Sequence, residues 1–264
     1  MKFEKSYTEY WESATNKSVD GLKIPGPEEV KVLIKNLNIQ SNNKVLDLGC
    51  SFGRMYNELA HFSNNVFGVD PDPYAVKKAA LFPYKEVKTG TAENTGYIDA
   101  QFDIVFSWQV FDVVDQLKGL TEVNRILVDG GKFLITGKNY NYFSDDIPAF
   151  KAEKNAFIKK FPNHFTKLDV LINHISELGF RIEKLFLFRR RGDFGNLDYL
   201  EVDISQLLPK SYEFLLIAKK INPVNSNIRG IPNIDGRFSI TANEIAKEKG
   251  FANAEELFYS IGID

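Results

Sequence analysis

Residues 44–54, Lys-Val-Leu-Asp-Leu-Gly-Cys-Ser-Phe-Gly-Arg, restrict the fold of this chain more than any other stretch. Val45 to Leu48 is a short apolar run, which predicts a buried strand. Gly49 ends it, and Gly53 follows after three intervening residues. Residues 55–62 then predict a helix with Met55, Leu59 and Phe62 on one side. Strand, tight glycine turn and helix together let a backbone approach a nucleotide-like ligand. Glycine has no Cβ to block the approach and adopts positive φ at little cost. The dinucleotide fingerprint Gly-x-Gly-x-x-Gly is not met, because Ser51 and Arg54 stand at its second and third glycines.

The next apolar run, residues 65–70, ends in Asp70, 21 residues after Gly49. An acid at that distance, at the tip of a second strand, can accept hydrogen bonds from both hydroxyls of a ribose. NAD and a nucleoside-bearing sulfonium would share that geometry. Pro71 follows, and residues 73–80 predict a helix opened by a proline. Residues 87–93 read as a third strand and loop, and residues 101–110 as a fourth strand. Asp103 at the start of that strand is a structural acid. Ser107, Trp108 and Gln109 emerge at its carboxyl end, where open α/β sheets bind ligands. A helix over 117–127 stops at Gly130-Gly131 before a fifth strand over 132–136. Residues 138–165 are rich in aromatics. Sixth and seventh strands follow at 180–188 and 212–219.

Three segments resemble the class I S-adenosylmethionine (SAM)-dependent methyltransferases, of the kind acting on small molecules. Val45-Leu46-Asp47-Leu48-Gly49-Cys50-Ser51-Phe52-Gly53 is similar to the family's Val-Leu-Asp-Leu-Gly-Cys-Gly-x-Gly, with Ser51 replacing the middle glycine. Phe102-Asp103-Ile104-Val105-Phe106-Ser107 resembles its fourth strand. Arg125-Ile126-Leu127, Gly130-Gly131 and Phe133 match its Arg-x-Leu-x-x-Gly-Gly-x-Leu signature, in the correct order. The resemblance covers roughly residues 44–220. It implies an α/β fold: a Rossmann-like, seven-stranded, mostly parallel sheet with helices on both faces and a seventh strand that is often antiparallel. The aromatic insertion and a short helical C-terminal tail are added to it. The implied domains are an N-terminal arm and cap helix (1–43), the SAM-binding domain (44–220) and a C-terminal helical extension (221–264).

The resemblance implies SAM as cofactor, with S-adenosylhomocysteine (SAH) as product. Its binding residues would be Asp47, Gly49, Cys50, Ser51 and Gly53 in the turn, Asp70 on the ribose and Pro71 against adenine. Thr91 replaces the aspartate that usually bonds the adenine amino group; its hydroxyl can still accept a hydrogen bond. Ala92, Glu93, Ser107 and Trp108 complete the set. Tyr10 and Trp11 fall on one face of a short N-terminal helix, either packed as a staple or folded over the cofactor. With Gln109, Tyr140, Tyr142 and His164 they are the candidate substrate residues. Methyl transfer from a sulfonium needs a general base only if the nucleophile must lose a proton. The family's frequent histidine after strand four is replaced by Phe111-Asp112. The candidate bases are therefore Asp112, His164 and Tyr140.

Composition removes several classes. A formal net charge of −2 gives no general attraction to nucleic acid or an anionic membrane. Residues 107–110 lack the Asn/Asp-Pro-Pro-aromatic motif of base amino-methylating enzymes. The only cysteine, Cys50, lies in the glycine turn, which removes a C5-cytosine mechanism and any internal disulfide. No apolar run is long enough for a membrane span, and no signal peptide is evident. Three separated histidines do not make a metal site. A cytoplasmic protein with a small-molecule acceptor is expected, with self-association through the arm or tail as the partner expectation. Three other classes stay open: an NAD oxidoreductase, disfavoured by the missing third glycine, a non-catalytic SAM-binding protein, and a protein methyltransferase.

Overall fold

The structure, a computed structural model, describes residues 26–222 and 232–262. Tyr10 and Trp11 lie outside them. The chain begins with α1 (Pro27–Ile34), which a 3-10 turn over Lys35–Leu37 extends. Val30, Leu33 and Ile34 are its buried stripe. β1 (Lys44–Leu48), α2 (Tyr56–Ala60), β2 (Asn65–Asp70), α3 (Pro73–Ala79) and β3 (Glu86–Thr89) then alternate. β4 (Phe102–Ser107), α4 (Gln116–Ile126) and β5 (Leu127–Asn139) continue the pattern. The helix expected over 55–62 is shorter, because residues 51–55 stay in turns before α2 begins.

α5 (Ile147–Ile158), β6 (Phe165–Thr166), α6 (Leu168–His174), β7 (Phe180–Phe188), α7 (Asp193–Asn196), β8 (Leu200–Glu201) and β9 (Glu213–Lys220) follow. β10 (Asp235–Gly236), α8 (Ile240–Glu248) and α9 (Ala254–Ile261) complete the described chain. The sheet order is β3-β2-β1-β4-β5-β9-β7-β8. The strands from β3 to β5 are parallel, and β9 runs antiparallel between β5 and β7. This is the expected mostly parallel α/β sheet. Three two-residue strands raise the count: β8 borders β7, and β6 and β10 extend the sheet beyond the end of β5.

Alternating side chains serve two core layers, as the pleat requires. Leu46, Val105, Phe133 and Leu216 face Leu120, Val123, Leu168 and Leu171. Val45, Ile104, Leu134 and Leu215 face Val30, Leu33 and Leu59 on the other side. Because both faces are covered, the inner strands read as continuous apolar runs.

The C-terminal helices pack on the aromatic insertion. Ala242, Ala246, Leu257 and Phe258 enclose a cluster with Phe150 and Phe157. Glu153 of α5 fastens this layer: it accepts from the Ser239 N–H (2.7 Å), the Ser239 hydroxyl (2.8 Å) and the Tyr142 hydroxyl (2.7 Å). Asn253 caps α9 through the Glu256 N–H (3.0 Å), while the Glu256 carboxylate accepts from the Ala252 N–H (3.0 Å). That reciprocal pair is close to a capping box.

Candidate functional site

The carboxyl ends of β1, β2 and β4 open into one cleft of about 1070 Å³, counted with the solvent at its mouth. The glycine turn forms one wall. Gly49 has φ +78°, and a Cβ there would come within 2.3 Å of Val110 Cγ2. Gly53 has φ +81°, and its Cβ would meet Phe82 at 2.6 Å. Ser51 adopts the left-handed region too, with φ +48°. The position that usually carries glycine thus keeps the glycine conformation despite its side chain.

Asp70 stands at the tip of β2, as expected, and lines the cleft. Its Oδ2 accepts from the Ser51 N–H (2.9 Å) and its Oδ1 from the Asp72 N–H (3.0 Å). Burial pushes its carboxyl up to about 6, against those two donors. A carboxylate has about four acceptor positions, so two lone pairs remain for a ligand. Pro71, Asp72 and Ala75 continue this wall.

The opposite side comes from Gly90–Glu93 and the segment after β4. Thr91 lines the cleft, but its hydroxyl already accepts from the Asn94 N–H (3.2 Å). Glu93 also lines it and accepts from the Asp115 N–H (2.8 Å). Trp108 contributes one edge while stacking on Phe106 at 5.7 Å and leaning on Phe194 at 5.0 Å. Gln109 has φ +58°, held by its N–H bond to the Thr136 hydroxyl (2.7 Å). Its side-chain carbonyl accepts from Arg54 Nη2 (3.1 Å), which links the glycine turn to the β4 loop.

Of the expected cofactor residues, Gly49, Ser51, Asp70, Pro71, Thr91, Ala92, Glu93 and Trp108 line the cleft. Asp47, Cys50, Gly53 and Ser107 stand behind it. Asp47 is buried and accepts from the Tyr84 hydroxyl (2.7 Å); burial pushes its carboxyl up to about 7. Cys50 packs against Gly68, and burial pushes its thiol up, so it is inert. Ser107 is buried at the end of β4. The sequence reading missed Phe52, Arg54, Val110, Val113 and Val114, which also line the cleft.

The candidate bases gather beside the cleft, around β6. Asp112 Oδ2 pairs with Lys138 Nζ (2.6 Å), and the Asp112 carbonyl accepts from the His164 N–H (2.7 Å). His164 Nδ1 lies 3.7 Å from Asp235 of β10. Tyr140 packs along Gly236 and under Lys167. None of the three lines the cleft wall described above. Tyr142, a candidate substrate residue, is corrected to a core residue: it is fully buried and its hydroxyl is spent on Glu153.

Residues 46–135 match the family model described as a methyltransferase domain. The chain is 33% identical over 113 residues to an uncharacterized protein of Methanocaldococcus jannaschii, covering 42% of this chain and 48% of that one. It is 26% identical to an uncharacterized methyltransferase of Schizosaccharomyces pombe, covering 60% of this chain and 66% of that one. The chain thus spans about half to two thirds of the length of these curated relatives. The crystal structure of an S-adenosylmethionine-dependent methyltransferase from Mesorhizobium loti superposes with a TM-score of 0.56 at 18% identity, over 77% of this chain and 100% of that one. At that identity the likeness speaks for the fold alone.

Proposed function

We propose that this chain, whose residues 46–135 match the methyltransferase-domain model, is a class I S-adenosylmethionine-dependent methyltransferase and transfers a methyl group from SAM to a small-molecule acceptor by in-line displacement. The observation that carries this is the join between Asp70 and the glycine turn. One carboxylate is fixed by the Ser51 and Asp72 N–H groups, at the rim of a turn whose Gly49 has no room for a Cβ. That is a fit for a ribose diol lying against bare backbone.

When bound, SAM supplies an already activated methyl group. The chain's own tasks are then to place the donor and acceptor and to exclude water. Asp70 would hold the ribose, and Pro71 and Ala92 would flank the adenine. Trp108, Val110 and Val113 offer a largely apolar wall on the side where transfer would occur.

Calorimetric titration with SAM, SAH and NAD tests this. Micromolar-range binding of the first two and none of NAD is expected. Asp70→Ala should lose about 1–3 kcal/mol of that binding as the ribose hydrogen bonds go. Tight NAD binding, or no binding of the three, would sink the proposal.

A further inference from the structure

The two ends of the cleft belong to opposite layers of the core. Ala92 and Val114 line one end and pack with Leu120 and Val123. Trp108 lines the other and packs in the layer of Tyr56 and Leu59. Asp70, at the tip of β2, stands at the level of the sheet that separates the two layers. Arg54 leads into Tyr56 and Gln109 follows Trp108, so both lie toward the second end; both line the cleft and are half-buried. A ligand whose ribose is held by Asp70, with its base against Ala92, therefore turns its remaining end toward Arg54 and Gln109.

Charge along the cleft is unevenly placed. Among the described residues Arg54 is the one cation that lines it, whereas Asp70, Asp72 and Glu93 are the acids that do. A negative group on a ligand is repelled by most of the wall and drawn to one place. Gln109 braces that place. Its φ of +58° is a conformation that residues with a Cβ rarely adopt, and the bond from its N–H to the buried Thr136 hydroxyl (2.7 Å) holds it there. From that backbone its side-chain carbonyl accepts from Arg54 Nη2 (3.1 Å). The same amide carries two N–H donors of its own. A guanidinium presents five donors in a planar fork, which lets one side chain hold Gln109 and a carboxylate together.

We propose that Arg54, braced by Gln109, binds the α-carboxylate at the amino-acid end of the donor, and so makes the cleft selective for nucleoside sulfoniums and thioethers that keep this group; this rests on the methyl-transfer assignment above. The nucleoside is then fixed at Asp70 and the far end at Arg54, on the two sides of the sulfur. Holding both ends limits how the sulfonium can rotate and directs its methyl group. A nucleoside thioether that ends in an amine alone offers no partner to the fork and brings a second cation beside Arg54.

Binding of two ligands tests this without turnover. Calorimetry is run with SAH and with decarboxylated SAH, which keeps the nucleoside, the sulfur and the amine. The wild-type chain should bind SAH roughly tenfold or more tightly than the decarboxylated ligand, the scale of one charge-assisted bond. Arg54→Met should bring SAH down to the level of the decarboxylated ligand and leave the latter within about twofold. Arg54→Lys, which keeps the charge and loses the fork, should retain part of the preference. Gln109→Glu serves if the Met variant unfolds: its carboxylate occupies the Arg54 fork, so SAH should weaken while the decarboxylated ligand tightens. Equal binding of the two ligands by the wild-type chain overturns the assignment. So does an equal loss of both in Arg54→Met, which would make Arg54 only a prop for the turn, or an unchanged preference in Gln109→Glu. Failure of the wild-type chain to bind either ligand overturns the methyl-transfer proposal itself, and this one with it.

Discussion

Glu122 of α4 accepts both the backbone N–H of Thr95 (2.8 Å) and its hydroxyl (2.6 Å). The same carboxylate takes Arg125 Nε (2.8 Å) and Nη2 (2.7 Å), and Arg125 reaches on to the Tyr97 carbonyl (2.7 Å). The loop that carries Thr91, Ala92 and Glu93 into the cleft is therefore held from behind. Removing the carboxylate in Glu122→Ala strands two buried donors, at about 1–3 kcal/mol each. A lower melting temperature and a several-fold weaker SAM affinity are expected. Unchanged affinity in a folded variant would show that the loop holds its shape without α4.

Gly49→Ala should be worse for binding than for folding. The left-handed backbone costs a Cβ-bearing residue about 1–2 kcal/mol. The new methyl also meets Val110 Cγ2 at 2.3 Å, on the surface where the ligand backbone contact is made. SAM binding should become undetectable by calorimetry while circular dichroism still reports a folded α/β protein. Retained micromolar binding would remove the turn from the site.

The response to pH has two signs. Burial raises Asp70 to about 6 and Asp47, Glu153 and Glu213 to about 7. The folded chain then holds protons that the unfolded chain has lost above its ordinary values of 3.8 and 4.5. By linkage, these groups lower stability as pH rises from about 4 to about 7, and their contribution is complete only below that window. Ligand affinity should run the other way, because ribose hydroxyls donate to the ionised form of Asp70. Melting curves across about pH 5–8 and SAM titrations at both ends check the two signs. A SAM affinity that falls as pH rises would contradict the role given to Asp70.

Glu153→Ala tests the union of the C-terminal helices with the main body. It leaves the Ser239 N–H, the Ser239 hydroxyl and the Tyr142 hydroxyl without their acceptor. A loss of about 3 kcal/mol or more is expected, with protease sensitivity appearing first over residues 235–262. Tyr142→Phe, which removes one donor, should cost about 1 kcal/mol.

The succession of strands along the chain and the acid at the tip of β2 are legible because each rests on a local pattern: apolar runs, glycine stops and a fixed spacing. Asp70 needed only the distance from Gly49. The far wall of the cleft was not legible in the same way. Val110, Val113 and Val114 look like any apolar loop residues until the β4–α4 connection folds back over the turn. Tyr142 stands among aromatics expected to surround a substrate, but its partner Glu153 and their shared contact Ser239 are brought together only by tertiary packing. Ser51 was read as a departure from the glycine pattern. The backbone places Ser51 at φ +48°, in the left-handed region that glycine favours.

β9 enters the chain after β7 but takes the place between β5 and β7. A nascent chain that has not yet reached Glu213 therefore exposes two inner edges, those of β5 and β7, with unpaired backbone N–H and C=O groups. Such edges invite pairing with other chains. During synthesis the sheet closes only when its last long strand arrives, so an inner place in the sheet, rather than its rim, waits on a late part of the chain.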